Sequence, residues 1–277
     1  MPQKPTELDP TANALAFFGA ELRHYRTRAK LSQGLLGERV YCSGSLVGLI
    51  EKAQRMPPLD FAQRCDDVLE TGSALERLWP LVSKDAHPSW FRPFVDIEEN
   101  ATKIREWEPM VIPGLLQTEG YARALITAWQ TGDGAGIVDQ RVAARMERQR
   151  LLQRDSPPLL WTVVSEVALR CPVGGAEVMR EQLGRLADAA VANPKVIVQV
   201  VPLSVDAHPG LAGPLELVTR HGEPDIAYFE VQGRSQLIEQ PDDVDRYALL
   251  YDMLRAVALS PEKSHDLIAD VAREDYS

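Results

Sequence analysis

Seven bases against three acids within residues 21–55 make the strongest chemical signal in the chain. Arg23, Arg26, Arg28, Lys30, Arg39, Lys52 and Arg55 face only Glu21, Glu38 and Glu51, a local surplus of +4 on a protein of net charge −10. Such a patch suits phosphate, because anion binding follows the local field rather than the total charge. Residues 1–86 hold eleven bases and eleven acids, so all of the acidity belongs to the remainder.

Groups fit for covalent or acid–base chemistry are scattered. His208, His221, Asp206, Asp225 and Glu166 are the candidates, yet no GxSxG elbow, HExxH helix or phosphate loop organises them. His208 precedes Pro209-Gly210 and reads as a turn residue. Glu166 and Arg170, one helical turn apart, are spaced to pair with each other. Cys42, Cys65 and Cys171 lie far apart without a CxxC pair, which is the pattern of three reduced thiols. The glycines of residues 131–136 follow no strand and precede no Gly-Lys-Ser/Thr, so that stretch reads as a loop. The expectation is a protein with no catalytic site, metal or cofactor.

The elements that must position the basic patch follow from apolar spacing. Leu15, Phe18, Leu22 and Tyr25 recur at steps of three and four, as on one helix face. Ser32 caps a short helix from Gln33 to about Val40, with Leu35, Leu36 and Val40 inward; Ser43 caps another ending near Lys52. Pro57-Pro58 opens a fourth helix over Leu59–Leu69, and a fifth runs from Gly72 to about Lys84. Residues 87–110 are irregular and aromatic. Helices are expected at Leu115–Trp129, Asp139–Gln153, Gly175–Ala192, Val244–Ala258 and Pro261–Arg273. About five strands complete the chain: Leu159–Val164, Val196–Val201, Leu215–Thr219, Ile226–Val231 and Ser235–Ile238. The fold class is α+β, with an all-α five-helix domain over residues 1–86 and a mixed α/β domain over residues 87–277.

Two short helices joined by a four-residue turn let the first cross a phosphate backbone while the second enters the major groove. The stretch LSQGLLGERVYCSGSLVGLIEKAQRMPPLDFAQRCDDVL resembles the phage-repressor-like, xenobiotic-response-element family of helix-turn-helix regulators. The resemblance implies that Gln33 bonds phosphate, and Ser32, the cap beside it, is counted with the DNA-binding residues. It places Ser43, Gly44, Ser45, Gly48 and Leu49 on the exposed edge of the recognition helix, with Arg23, Arg26, Arg28, Lys52 and Arg55 as positioning charges. Two departures stand out. Tyr41 occupies a turn position where the family carries glycine, and the reading face lacks side chains that bond a base bidentately, each worth about 1–3 kcal/mol of discrimination.

The blocks EWEPMVIPGLLQTEGYARALI, RVAARMERQRLL, ALRCPVGGAEVMREQL, AHPGLAGPLELV and ALSPEKSHDLI resemble the C-terminal domain of unassigned function in a large actinobacterial group of such regulators. That resemblance implies a small partner protein encoded nearby, in an arrangement similar to a toxin–antitoxin pair. Trp107, Glu108, Gln117, Tyr121 and Arg123 are the residues that would line a small-ligand or partner site; Trp107 and Tyr121 read more readily as core or interface residues. The expected protein is a homodimeric, sequence-specific regulator of double-stranded DNA whose second domain dimerises and receives a small-protein or small-molecule signal. The alternative is an interaction module with weak or partner-dependent DNA binding. No run of eighteen apolar residues and no secretory leader is present, so the expected location is the cytoplasm, off the membrane.

Overall fold

The computed structural model describes residues 8–129, 135–231 and 233–276. They form an α+β fold in two compact units, Met1–Ser89 with Thr131–Glu147, and Trp90–Gln130 with Arg148–Ser277. The first unit therefore takes in a segment from beyond the boundary near residue 86 that the sequence suggests. The glycine-rich stretch at 131–136 falls largely outside the described residues.

Five helices build the first unit: α1 (Ala14–Arg28), α2 (Gln33–Arg39), α3 (Gly44–Glu51), α4 (Leu59–Leu69) and α5 (Ala74–Ala86). Their starts are set by side-chain oxygens. Asn13 accepts from Ala16 N at 2.8 Å, Ser32 from Leu35 N at 3.1 Å and Ser43 from Leu46 N at 3.2 Å, each cap being worth about 1 kcal/mol. Pro58 holds the cap position of α4. Leu15, Phe18, Leu22, Leu36, Val40, Val47, Ile50, Phe61 and Trp79 converge in one core. Leu35, expected inward, is exposed. Leu36 and Val40 are four residues apart and share the buried face of so short a helix, which turns Leu35 outward.

The second unit opens with two elements in the stretch that reads as irregular: α6 (Arg92–Glu99) and β1 (Ala101–Glu108). After a 3-10 turn at Gly114–Leu116 come α7 (Glu119–Ala128) and α8 (Ala135–Arg148), whose Ala144 packs in the helical core of the first unit. Thr118 caps α7 by accepting from Tyr121 N, and so splits the single helix expected over 115–129. Then follow β2 (Leu159–Ser165), α9 (Glu166–Arg170), α10 (Ala176–Ala192), β3 (Val196–Val201), β4 (Leu215–Arg220), β5 (Ile226–Val231), β6 (Arg234–Ile238), α11 (Pro241–Val257) and α12 (Pro261–Asp275).

Among the described residues the sheet has six strands, ordered β3-β2-β1-β4-β5-β6. β1, the additional strand, stands between a parallel half (β1, β2, β3) and an antiparallel meander (β4, β5, β6). One face carries Trp107, Val163, Leu217 and Ala227 beneath Tyr251 and Leu254 of α11. The opposite face carries two apolar clusters. Ile104, Leu160, Val164 and Val198 pack with Leu183 of α10 and Ile268 of α12, while Val218 and Tyr228 pack with Phe91 and Phe94. Pairing in register puts Thr162, Glu106, Glu216 and Tyr228 in one row across β2, β1, β4 and β5 on that second face. No helix among the described residues is long and apolar enough to cross a membrane.

Candidate nucleic-acid interface

Glycines bring α2 and α3 together. A Cβ on Gly37 would lie 2.7 Å from Cys42 O, and one on Gly44 would lie 2.8 Å from Gly34 Cα. The turn between the helices is closed by Cys42 N donating to Gly37 O at 2.8 Å and Tyr41 N to Glu38 O at 3.4 Å. This paired cap requires a left-handed residue, normally glycine; here it is Tyr41, at φ 60°. The same cap ends α1 at Lys30 and α3 at Ala53, both at φ 55°. A non-glycine residue held there costs about 1 kcal/mol. Tyr41 is 86% exposed and has little packing to lose. Tyr41→Gly is therefore expected to stabilise the first unit by about 1 kcal/mol, read as a higher urea midpoint; an unchanged or lower midpoint would show that the tyrosine ring compensates for its backbone.

The expected positioning charges divide into two sets. Arg26 turns inward: its Nε lies 2.5 Å from Glu51 Oε1, its Nη2 lies 3.0 Å from Glu51 Oε2, and its Nη1 donates to Leu31 O at 2.8 Å. Gln33 Nε2 donates to the same carboxylate at 2.7 Å. Arg23 approaches it at 3.7 Å while remaining exposed. Arg28 and Lys52 are exposed, the former with its guanidinium 4.9 Å from the Tyr25 ring centroid. Arg55 pairs with Asp139 of α8 at 3.5 Å, within the first unit.

On the recognition helix Ser43, Ser45 and Leu49 are exposed and Gly44 is half-buried against Gly34. Gly48, expected on the exposed edge, is instead buried, with Gln33 Oε1 3.1 Å from where its Cβ would stand. It serves as the floor on which Gln33 lies. Ser32 is spent as a cap and stays at the surface. A shallow hollow of about 500 Å³ beside α1 is lined by Leu8, Ala20, Arg23, His24, Thr27 and Arg28. His24 and Thr27 carried no sequence signal beyond their place beside the two arginines.

In the second unit the five residues expected around a ligand are not brought together. Trp107 is 1% exposed, donates to Gly210 O at 3.0 Å, and belongs to the core beneath α11. Tyr121 is buried in the core on the opposite face, its hydroxyl accepting from Ile112 N at 3.1 Å. Gln117 donates to Ile112 O at 2.7 Å, Arg123 pairs with Glu119 at 2.9 Å, and Glu108 ends β1. Glu166 does pair with Arg170, at 2.8 Å, and Asp225 pairs with Arg105 at 3.0 Å.

The buried charges at the sheet's centre carry no signal in the amino-acid pattern. Glu98 and Glu106 are buried, and Arg148 Nε lies 3.2 Å from Glu98 Oε2. The Arg148 guanidinium sits 4.8 Å from the Phe91 ring centroid, in space that Gly114 leaves open: a Cβ there would lie 2.5 Å from Nη2. Burial pushes the Glu106 carboxyl up to about 8, and burial together with Glu106 raises Glu216 well above the carboxylate range. Among the described residues no three His, Cys, Asp or Glu side chains are placed to hold a metal ion.

Residues 18–79, which span α1 to α5, match a helix-turn-helix domain. No curated protein and no solved structure matches the chain. Residues 91–270 match a domain of unknown function (DUF5753), covering well over half of the chain. The protein belongs to the DUF5753 family and carries a helix-turn-helix domain ahead of that domain.

Proposed function

We propose that this chain is a sequence-specific, double-stranded-DNA-binding transcription regulator of the xenobiotic-response-element type, acting as a homodimer. The observation that carries the reading is the capped α2–turn–α3 pair, with Ser43, Ser45 and Leu49 exposed along one edge and Arg23, Arg28 and Lys52 exposed around it. Arg23, Arg28 and Lys52 hold phosphates, with Arg55 joining once it leaves Asp139. Ser45 and Leu49 touch base edges, the leucine against thymine methyl groups. Arg26 and Gln33 act as struts that set the angle of α3 through Glu51. Direct readout by this face is weak for each protomer, so two half-sites and DNA shape supply the rest of the specificity.

The DUF5753 domain, in this reading, dimerises, performs no catalysis, and receives a signal from a small protein or ligand in an arrangement similar to a toxin–antitoxin pair. The protein works in the cytoplasm. A second reading is favoured by the exposed Leu35, Tyr41 and Leu49, which are apolar where a DNA reader is polar: the helical unit would then dock on a protein.

Capture of genomic fragments by the purified chain at about 150 mM salt, where weak phosphate contacts are already screened, tests the choice. Enrichment of one two-fold sequence supports the regulator, and none supports the docking module. On the enriched site, Arg28→Gln should weaken binding to every sequence and reduce the logarithmic salt slope by about one per lost phosphate contact. Leu49→Ala should change relative affinities among sites. An unaltered slope would count against phosphate contact by Arg28, and uniform loss with Leu49→Ala would count against base readout by Leu49.

A further inference from the structure

We propose that Glu106 and Glu216, opposite each other at the centre of the sheet, share a proton in the folded DUF5753 domain, and that its release to alkaline solvent loosens the β1–β4 ladder. The geometry begins with register. Glu106 and Glu216 are directly paired on antiparallel strands, so their side chains leave the same face at neighbouring positions. Thr162 and Tyr228 extend the row on either side, and Glu106 Oε2 and Thr162 Oγ1 are buried without a hydrogen-bond partner. Two carboxylates so placed, Glu106 buried and Glu216 half-buried, cannot both be ionised cheaply.

The groups acting on the pair are largely of its own sign. β1 adds Glu108, β5 adds Glu230, and α6 adds Glu98, itself raised by burial. Arg148 at the end of α8 is the cation that opposes them, and it is already committed to Glu98, on which Glu99 and Arg154 also act. Tyr228 is itself raised by burial and stays a neutral hydroxyl. With the charge of Arg148 shared among several carboxyls, a proton neutralises the pair, which titrates as a unit.

Free glutamates in the unfolded chain release their protons near pH ~4.3, whereas the folded pair keeps one until about pH 8. Between those values the folded state binds more protons, so stability falls as pH rises through the window and the contribution is gone above it. Each pH unit in this window should lower the folded-to-unfolded ratio about tenfold for the one proton involved. The idea rests on the regulatory reading of this domain only for its biological use, because the titration is read without DNA.

The test is urea unfolding of the full chain from pH 5.5 to 8.5, read in the second unit through a fluorotryptophan signal from Trp107. The Glu106→Gln, Glu216→Gln double variant keeps the shapes and removes the titration. It should lose the tenfold-per-unit decline that the native chain shows; the same decline in both would overturn the proposal. Carbon-detected NMR of the glutamate carboxyls in the native chain needs no variant. Loss of one proton near pH 8, sensed by both carboxyls, is expected, and all glutamates titrating below pH 5.5 would also overturn it.

Discussion

Replacing Glu51 by alanine should cost the helical unit about 3–5 kcal/mol, the loss that follows when a buried charge is left without its partner. Glu51 is fully buried at the C-terminal end of α3, where the helix dipole already disfavours a negative charge. It is tolerated because Arg26 meets it through two nitrogens and Gln33 through one. Alanine would strand a guanidinium whose side chain is only 14% exposed. Urea unfolding of the full chain reads the effect, and a loss below about 1 kcal/mol would reduce the network to an ordinary surface pair. The paired change Arg26→Met with Glu51→Leu should recover most of the loss, since an apolar pair of similar volume often equals a buried ion pair. At temperatures where it stays folded, Arg26→Met alone should leave the salt slope of DNA binding unchanged, unlike Arg28→Gln.

Arg148→Met should destabilise the second unit by a similar 3–5 kcal/mol at pH 8, with the loss shrinking markedly by pH 5. Without Arg148 the buried Glu98 lacks its counter-charge, and each neighbouring carboxyl must take up a proton or stand charged against the others. With Arg148 gone, the folded pKa values of Glu98, Glu106 and Glu216, already raised, should rise further. The folded state then holds more protons, so the penalty is complete above those values and fades as pH falls toward the unfolded carboxylate range. What remains in acid is the lost stacking on Phe91 and the gap beside Gly114. Measured stabilities at the two pH values decide the matter: an equal loss at both would mean that Arg148 acts by packing alone.

Both networks mark where reading the chain by pattern fails. The helices of the first unit were legible because three- and four-residue apolar steps and serine caps act locally, and the flanking strands because β-branched runs such as Val196–Val201 admit few alternatives. β1 was not legible. Its sequence, ATKIREWE, has the hydropathy of a solvated edge, yet it lies at the middle of the sheet. Glu106 is buried there with neighbours that come from distant parts of the chain. Arg26 misled in the same way. A base in a basic run reads as a phosphate contact, and only the fold shows it answering Glu51. Nothing in the sequence ranks Arg26 apart from Arg28; the distinction is made by which side of α1 each one leaves.

The placement of β1 also has a kinetic consequence. The pair Glu216–Tyr228 closes a loop roughly ten times shorter than the pair Ala101–Arg220, and tenfold in loop length costs about 2 kcal/mol of closure entropy. The β4–β6 meander can therefore form early as local hairpins, while β1 must wait for partners far along the chain. During synthesis β1 emerges more than a hundred residues before β4, with both ladder edges open, and its charged residues then become an asset. Lys103, Arg105, Glu106 and Glu108 keep the waiting strand hydrated and discourage pairing with strands of other nascent chains. Two of these side chains, Glu106 and Glu108, make the finished sheet electrostatically tense and also keep its central strand soluble until the sheet exists.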